Sequence, residues 1–529
     1  MVEIVRIHEN MVDTPSAEIV GAKAANIVRM AKLGVPVPPA FVLPIELCRP
    51  VVAGDEIADC ELRDALEEGI GFLEEITDRK FGDGRNPLLV SVRSGAARSM
   101  PGMLETVLDV GCSHTALRGL IRVTGNPRFA WDCRRRFLES YSETVLNLGP
   151  DILRRVCDDM LRAERAETEQ DLDCEALERL VADIERCLDE RDLDVPEKPN
   201  RQLLDAARAV YLSWGSERAS TYRRLSGLED LEGTAVTVQA MVFGNRGLRS
   251  GSGVAFSRDP STGERKPIIE MLVDAQGEDV VAGRFTPHDE NAIELINPEL
   301  AQKLREVLSK LEGEFTDVQD IEFTVEDGTL WLLQTRSAKR TPTAELKIAV
   351  DLVTEGVIGE AEALKRVARL SLDSIGTTHF EGEEAAVSCG IGAAAGVATG
   401  RAVFESGRTE QFMQSGEPVI LVRPDISTSD IAGFVAASGI LTAAGGRTAH
   451  AALVARQLGK ACVVGCSALV IDTISRRARL GERLIAEGDW ISIDGGTGDI
   501  FLGRRKIGTV RPERDLAQIA TWRARIAAE

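Results

Sequence analysis

The spacing of apolar and polar positions predicts a chain built from both helices and strands. Apolar residues recur at helical spacing over 18–33, and Gly34 and Pro36 then stop this helix before a strand at 40–43. Short apolar runs bounded by turn residues predict further strands at 88–93 (ending in a glycine-containing loop at 94–96), 235–243, 253–257, 268–273, 320–325 and 329–334. Predominantly helical sequence follows that loop up to about residue 225, so residues 1–340 are predicted to form one mixed α and β unit.

Three further parts follow in this prediction. Pro342 begins a second helical pattern, with apolar residues at Leu346, Ala349 and Leu352. A glycine- and alanine-rich run at 390–396 then changes the composition, and short strands alternate with helices beyond it. The predicted boundaries are 1–340 with a helical insertion at about 130–225, a helical linker at 341–388, a compact domain at 389–505 and a tail at 506–529.

Composition excludes several classes of partner. The 529 residues carry a net charge of -21, whereas a nucleic-acid-binding protein needs a positive surface to release counterions, so no nucleic acid is expected as a ligand. No apolar run reaches the roughly 20 residues of a membrane span, and the acidic start of the chain lacks the basic flank of a signal peptide. The ten cysteines lack metal-ligand spacing and are predicted to be reduced thiols. We therefore expect a cytoplasmic protein that does not bind a membrane.

One of the five histidines, His450, follows a glycine-rich turn and precedes a helical pattern of small and aliphatic residues. Gly445 and Gly446 let the backbone turn sharply after a predicted strand at 440–443 and can direct N–H groups toward an anion. The positive end of the following helix favours a phosphoryl group, and unprotonated imidazole is nucleophilic near neutral pH. The pattern predicts a phosphate-carrying histidine, and a hydrogen-bonded histidine in a first helical turn is the alternative.

Two predicted strands carry side chains suited to a metal-bound phosphate. Asp320 and Glu322 are alternate residues of one strand, so both carboxylates point to the same face. Carboxylate oxygens suit Mg²⁺, which bridges them to nucleotide phosphates. Gln334 and Arg336 share one face of the next strand and offer an amide oxygen and a guanidinium. A solvated strand face is the alternative interpretation of the same pattern.

These motifs together resemble the phosphoenolpyruvate-utilising enzymes. The turn before His450, with 419–424, 459–466 and 488–495, is similar to their phosphohistidine domain. The nucleotide-binding half of pyruvate, phosphate dikinase is similar to the segments 21–26, 91–96, 99–103, 233–245, 253–260 and 275–283. The resemblance runs from about residue 15 to about residue 505. It implies a multidomain α+β and α/β fold, in which an ATP-grasp nucleotide-binding unit is followed by the helical linker and a swivelling β/β/α phosphohistidine domain.

The resemblance also implies roles for individual residues in binding ATP. Lys23 and Arg93 would hold its phosphates and take part in catalysis with His450. Arg336 would stabilise the charge of the transferring group, and Gln239 and Glu270 lie on strands that match nucleotide contacts.

Further roles concern the metal and the loops around it. Asp320, Glu322 and Gln334 would bind Mg²⁺ as the cofactor. The serine and glycine run at 250–253 would form a phosphate-covering loop, with a plain turn as the alternative. Thr448 occupies a position that is a regulatory phosphorylation site in some dikinases, and a threonine at a helix N-terminus is the alternative.

The family reaction defines what the chain is expected to do. The histidine attacks the β-phosphate of ATP and releases AMP, orthophosphate removes the terminal phosphoryl group as pyrophosphate, and the phosphohistidine swings to a C-terminal barrel that converts pyruvate to phosphoenolpyruvate. The sequence stops at Glu529, so we expect a short form without the barrel, in which a separate phosphoenolpyruvate- or pyruvate-binding protein completes the reaction.

Two alternatives stay open at this point. Arg447 stands where dikinases commonly have methionine and related phosphoenolpyruvate synthases have arginine, so water could replace orthophosphate as the co-substrate. A regulatory phosphocarrier subunit without its own acceptor site is the other alternative, and a homodimer is left open. An antibiotic phosphotransferase is disfavoured because the linker at 341–388 is too short for a drug-binding domain.

Overall fold

The computed structural model describes residues 2–9, 11, 13–98, 100, 104–281, 292–382, 384–414, 416–425, 431–447, 449–472 and 475–528. The chain folds into two compact units, of which unit 1 comprises residues 1–249 and 325–335. Unit 2 comprises residues 250–324 and 336–529.

Unit 1 contains a five-stranded sheet flanked by helices. Up to residue 249 its elements are β1 Val5–Ile7, α1 Ala17–Lys32, β2 Ala40–Leu43, α2 Cys48–Val52, α3 Glu56–Thr77, β3 Lys80–Phe81, β4 Pro87–Leu88, β5 Val90–Ala96, β6 Thr106–Val110, α4 His114–Thr124, α5 Pro127–Thr144, α6 Pro150–Glu164, α7 Cys174–Asp189, α8 Pro199–Leu212, α9 Glu217–Ser226 and β7 Thr234–Ala240. The sheet order is β1-β2-β7-β5-β6. The strands β5 and β7 are largely apolar and buried, which places the core of unit 1 around them.

Residues 250–376 contain the first part of unit 2 and the 325–335 segment of unit 1, so the boundary between the units falls within two strands of this stretch. Its elements are β8 Gly251–Phe256, β9 Ile268–Val273, α10 Gly277–Val281, α11 Ala292–Ile296, α12 Pro298–Phe315, β10 Gln319–Glu326, β11 Thr329–Ser337, α13 Pro342–Thr354 and α14 Glu360–Val367. Strand β8 lies between β10 and β9. Helix α13 packs its apolar face on this sheet, since Ala344, Ile348 and Leu352 share a core cluster with Phe256.

The rest of unit 2 is built on an eight-stranded sheet. Its elements are β12 Thr377–Phe380, β13 Ser388–Cys389, β14 Ile391–Ala394, β15 Val397–Val403, α15 Ser406–Gln414, β16 Val419–Arg423, α16 Ile431–Ala436, β17 Gly439–Thr442, α17 His450–Leu458, β18 Ala461–Val464, β19 Leu469–Asp472, β20 Arg477–Leu480, β21 Arg483–Ala486, β22 Trp490–Asp494, β23 Asp499–Leu502, β24 Ile507–Val510 and α18 Glu513–Ala528. The sheet order is β13-β23-β22-β15-β16-β17-β18-β14, and β15 to β18 run parallel. Helix α17 therefore connects two parallel neighbours, as in a βαβ unit.

Helix α18 packs against α13 and α14 and closes a separate apolar cluster. Ile519 and Trp522 of α18 are buried there with Leu346 and Val350 of α13 and Val367 of α14. Strand β24 pairs with β12 in an antiparallel ribbon just before α18. The residues after β23 are thus tied to the helices that precede the eight-stranded sheet.

The structure confirms the mixed α and β architecture with several sheets and most of the predicted elements. Two local predictions are wrong. The loop expected at 94–96 is the end of strand β5, because Gly95 and its neighbours stay paired with β7. Of the phosphate-covering loop expected at 250–253, residues 251–253 lie in buried strand β8, where a Cβ at Gly253 would come within 2.4 Å of the Glu270 carbonyl oxygen. Glycine serves close strand packing at this position.

Two expectations from composition can be compared with the described residues. No helix among them is both long and apolar enough to cross a membrane. All ten cysteines lie in described parts of the chain and are free thiols.

Candidate functional site

An acidic pair and an arginine meet at the sheet of unit 2. Asp320 is 1% exposed, and its Oδ2 accepts a hydrogen bond of 2.8 Å from Nε of Arg336. Nη1 of Arg336 lies 3.9 Å from Oε1 of Glu322. Strand β10 holds both acids on one face because they are alternate residues, as the sequence predicted.

Burial and charge act in opposite directions on this cluster. Burial raises the pKa of Asp320, and the Arg336 guanidinium only partly offsets this effect. Burial alone would lower the pKa of Arg336, but the Asp320 and Glu322 carboxylates raise it above its ordinary value. Arg336 is therefore charged at neutral pH, and an additional cation beside Asp320 would favour its ionised form.

The carboxylates of Asp320 and Glu322 are oxygen donors of the type that Mg²⁺ prefers. Oδ1 of Asp320 is buried and has no hydrogen-bond partner among the described residues. Over the same residues, no group of three or more His, Cys, Asp or Glu side chains is arranged to hold a metal.

The turn before His450 lies at the carboxyl ends of three parallel strands. β16, β17 and β18 end side by side there, since Ala443 N donates to Arg423 O and Cys466 N donates to Thr442 O. Gly445 has a φ of 108°, which favours glycine, and Ala449 N donates to Gly446 O at 3.1 Å to close the turn. Helix α17 then begins at His450. Ligands of α/β sheets commonly bind at such strand ends.

Glu270 of β9 contacts this turn rather than standing apart from it. It is 3% exposed, and its Oε1 accepts a hydrogen bond of 2.9 Å from Arg447 N. Nε of Arg447 donates to Gly392 O at 3.1 Å. The sequence resemblance linked Glu270 to the nucleotide. It did not predict the hydrogen bond to Arg447, because the two residues lie 177 positions apart along the chain.

Arg456 is a second residue that sequence reasoning missed. It lies on α17, it is fully buried, and its Nη2 donates to Arg447 O. Burial lowers the pKa of Arg456 to about 10, while Asp320 and Glu270 are the main negative charges that oppose this shift. Arg456 thus experiences the charges of Asp320 and Glu270, while its hydrogen bond is made to the turn before His450. Thr448 lies outside the described residues.

Unit 1 brings two of the predicted phosphate-binding cations to one region of its sheet. Lys23 lies on α1, and a Cβ placed on Gly95 of β5 would lie 3.9 Å from the Lys23 Cβ. Arg93 is two residues before Gly95 on β5, so its side chain leaves the sheet on the same face. The close contact between α1 and β5 requires glycine at position 21, where φ is 79° and a Cβ would come within 1.9 Å of the Gly95 carbonyl oxygen.

The two predicted glutamines of unit 1 are both buried. Gln239 of β7 donates from Nε2 to Pro38 O at 3.1 Å, so its side chain holds the segment before β2. Gln334 lies on β11, next to Thr335, whose carbonyl oxygen accepts a hydrogen bond of 3.0 Å from Nδ2 of Asn26. Asn26 thus joins α1 to β11, a contact that the sequence motif around Lys23 did not indicate.

Comparison with known proteins identifies two matching families. The AMP/ATP-binding domain of pyruvate phosphate dikinase matches residues 53–292 and 287–356. The mobile domain of phosphoenolpyruvate-utilising enzymes matches residues 415–498, which include the turn and helix α17.

Curated relatives are similar over nearly the whole chain. Pyruvate, phosphate dikinase of Clostridium symbiosum is 41% identical over 512 residues, which are 95% of this chain and 58% of the relative. Pyruvate, phosphate dikinase 2 of Zea mays is 40% identical over 96% of this chain and 58% of its own length. The chloroplastic pyruvate, phosphate dikinase of Flaveria pringlei is 40% identical over 95% of this chain and 53% of its own length. The chain thus spans between half and three fifths of the length of these relatives.

Proposed function

Because the chain belongs to the pyruvate, phosphate dikinase family, we propose that it is an enzyme that transfers phosphate from ATP to His450 and releases AMP. A nitrogen of the unprotonated imidazole attacks the β-phosphorus. The bond between that phosphorus and the oxygen bridging to the α-phosphate breaks, so AMP leaves with the bridging oxygen. The β- and γ-phosphates then remain on His450, and orthophosphate removes the terminal one as pyrophosphate.

In this proposal residues 1–340 form an ATP-grasp unit and residues 389–505 form a swivelling phosphohistidine domain, joined by the linker at 341–388. Lys23 and Arg93 hold the phosphates, a role supported by their placement on one face of the sheet in unit 1. Arg336 stabilises the negative charge that develops during transfer. Mg²⁺, held by Asp320 and Glu322, would neutralise phosphate charge.

The observation that carries the proposal lies within unit 2. A buried carboxylate pair with a charged arginine and the glycine-rich turn before His450 belong to one unit, and Glu270 and Arg456 both hold the turn by hydrogen bonds to Arg447. Phosphoryl transfer to a histidine needs groups that neutralise the phosphate charge, a nucleophile, and a fixed orientation of that nucleophile toward the phosphate.

A labelling experiment tests the proposal. The purified protein is incubated with Mg²⁺ and ATP labelled at the β-phosphate, and acid-labile protein label and AMP are measured. We expect label and AMP in equal amounts from the wild-type protein and none from His450→Ala. His379→Ala is the matched control, because it removes another histidine of unit 2 in strand β12 and should leave the label unchanged. Unlabelled wild-type protein, or label that persists in His450→Ala, would show that the proposal is wrong.

Asp320→Asn tests the metal site in the same assay. Removing this carboxylate should slow label formation on the order of 100-fold or more, since a metal ion contributes several kcal/mol of charge stabilisation. The variant should remain folded, because asparagine keeps an oxygen that can accept the hydrogen bond from Arg336 Nε, and Glu322 stays 3.9 Å from Nη1 of Arg336. Label formation at the wild-type rate would contradict the assignment of Asp320.

Other sequence-based expectations stay predictions. They are the metal contact of Gln334, the nucleotide contact of Gln239, the regulatory role of Thr448, a cytoplasmic location, a homodimer and a separate phosphoenolpyruvate- or pyruvate-binding protein. Adding orthophosphate to the labelled protein and measuring pyrophosphate distinguishes orthophosphate from water as the co-substrate.

A further inference from the structure

Arg456 occupies an unusual environment for an arginine. It is 0% exposed and lies on α17, the helix that begins at His450. Its Cζ stacks 5.0 Å from the ring centroid of Phe256, a buried residue of β8. Nε donates to Ala452 O at 3.2 Å, and Nη2 donates to Arg447 O. The side chain therefore folds back along its own helix and reaches the turn that precedes the histidine.

With the contact from Arg456, both backbone polar groups of Arg447 are hydrogen-bonded to side chains. The N–H of Arg447 donates to the Glu270 carboxylate at 2.9 Å, and its carbonyl oxygen accepts from Arg456. An acidic and a basic side chain thus hold both backbone polar groups of a residue three positions before His450. The turn contains two glycines, which by themselves allow many conformations, so these two contacts restrict it strongly.

Core packing alone does not explain a guanidinium at this position. Nη1 of Arg456 is buried without a hydrogen-bond partner, and Arg456 forms no ion pair within 4.0 Å, in both cases among the residues that the structure describes. An unsatisfied buried donor destabilises a fold, and an apolar side chain of similar volume would avoid that penalty. The hydrogen bonds from Nη2 and Nε are therefore the features that distinguish arginine from an apolar residue here.

We propose that Arg456 is a positioning residue that fixes the turn before His450 in the conformation required to accept the phosphoryl group. The inference rests on the proposed phosphorylation of His450 and adds to it a residue outside the predicted ATP and metal sites. Arg456 acts through the Arg447 carbonyl and through its stacking on Phe256, and it does not contact ATP. Its loss should therefore lower the rate of phosphoryl transfer and leave the affinity for ATP unchanged.

A pair of conservative variants tests this inference. Arg456→Lys keeps a cation but cannot reproduce the donors from both Nε and Nη2. Arg258→Lys is the matched control, because Arg258 is also 0% exposed in unit 2 and pairs with Glu312 and Glu355 instead of the turn. In single-turnover labelling at saturating ATP, we expect Arg456→Lys to be slower by roughly 10- to 100-fold, the effect of a misplacement of about 1 Å. Arg258→Lys should label at the wild-type rate per folded molecule, and both variants should bind a non-hydrolysable ATP analogue with wild-type affinity.

A second readout does not depend on activity. With histidine labelled by ¹⁵N, the His450 imidazole resonances are identified by their absence in His450→Ala. We expect them to shift in Arg456→Lys and to stay in place in Arg258→Lys, while those of His114 in unit 1 are unchanged in both. Wild-type labelling kinetics and an unshifted His450 signal in Arg456→Lys would overturn the inference, as would equal slowing in both variants. If the wild-type protein takes up no label, the proposed function fails, and the resonance comparison alone decides whether Arg456 positions the turn.

Discussion

Glu270→Gln separates two roles that the sequence and the structure suggest for one residue. The sequence resemblance assigns Glu270 to nucleotide, whereas the structure shows its Oε1 accepting a hydrogen bond of 2.9 Å from Arg447 N. Glutamine keeps the shape and an acceptor oxygen but removes the charge. A hydrogen bond to a charged group contributes about 1.5–3 kcal/mol and one between neutral groups about 0.5–1.5 kcal/mol. The turn should therefore be held less tightly by roughly 1–1.5 kcal/mol, which corresponds to about a tenfold change in an equilibrium or rate.

The assay measures ATP-analogue affinity and the single-turnover rate of His450 labelling separately. If Glu270 holds the turn, Glu270→Gln slows labelling about tenfold at saturating ATP and leaves the affinity unchanged. Glu312→Gln is the matched control, since Glu312 is another buried carboxylate of unit 2 and accepts from Arg258 and Ser257 away from the turn. A tenfold loss of ATP-analogue affinity with an unchanged labelling rate would show that Glu270 binds the nucleotide and does not hold the turn.

Two further predictions concern unit 1. Burial opposes ionisation of Asp132, but Arg136 and Arg135 lower its pKa well below the ordinary value. The ionised carboxylate therefore contributes fully to stability above about pH 4, and this contribution is lost as the pH falls toward the pKa of the folded state. The free energy of unfolding of Asp132→Asn, measured in urea near pH 7, should therefore be about 3–5 kcal/mol below that of the wild type. This difference should become smaller below about pH 4, and a difference that stays constant there would contradict the assignment of the stability to ionised Asp132. Gly21→Ala should cost at least about 1–3 kcal/mol, because φ is 79° and ψ is 157° there, and should weaken ATP-analogue binding by displacing α1. Gly71→Ala on α3 has open space and should be neutral or stabilising, so equal losses in the two glycine variants would argue against the proposed strain.

Local patterns in the sequence predicted most elements because helix and strand periodicities report which face of each element is buried. Strand β9 at 268–273 and the face shared by Asp320 and Glu322 follow from such patterns, and the family resemblance is confirmed. Two glycine-containing segments were misjudged as loops. At Gly253 the absence of a Cβ allows the close approach of a neighbouring strand, whereas Gly95 simply continues the pairing of β5 with β7. A glycine in a sequence does not reveal whether it makes a turn, allows a tight contact or continues a strand.

The sequence by itself thus predicted most elements, the position of His450 at the start of a helix and the side chains whose chemistry suits phosphate and a metal ion. Only the tertiary structure decided which of them act on one another. Glu270 and Arg456 reach the same residue of the turn from positions 177 before and nine after it. No periodicity encodes such a meeting, because it depends on how β9 and α17 pack in unit 2. Burial also makes these contacts strong, since a carboxylate or guanidinium shielded from water interacts with its partner through a lower effective dielectric.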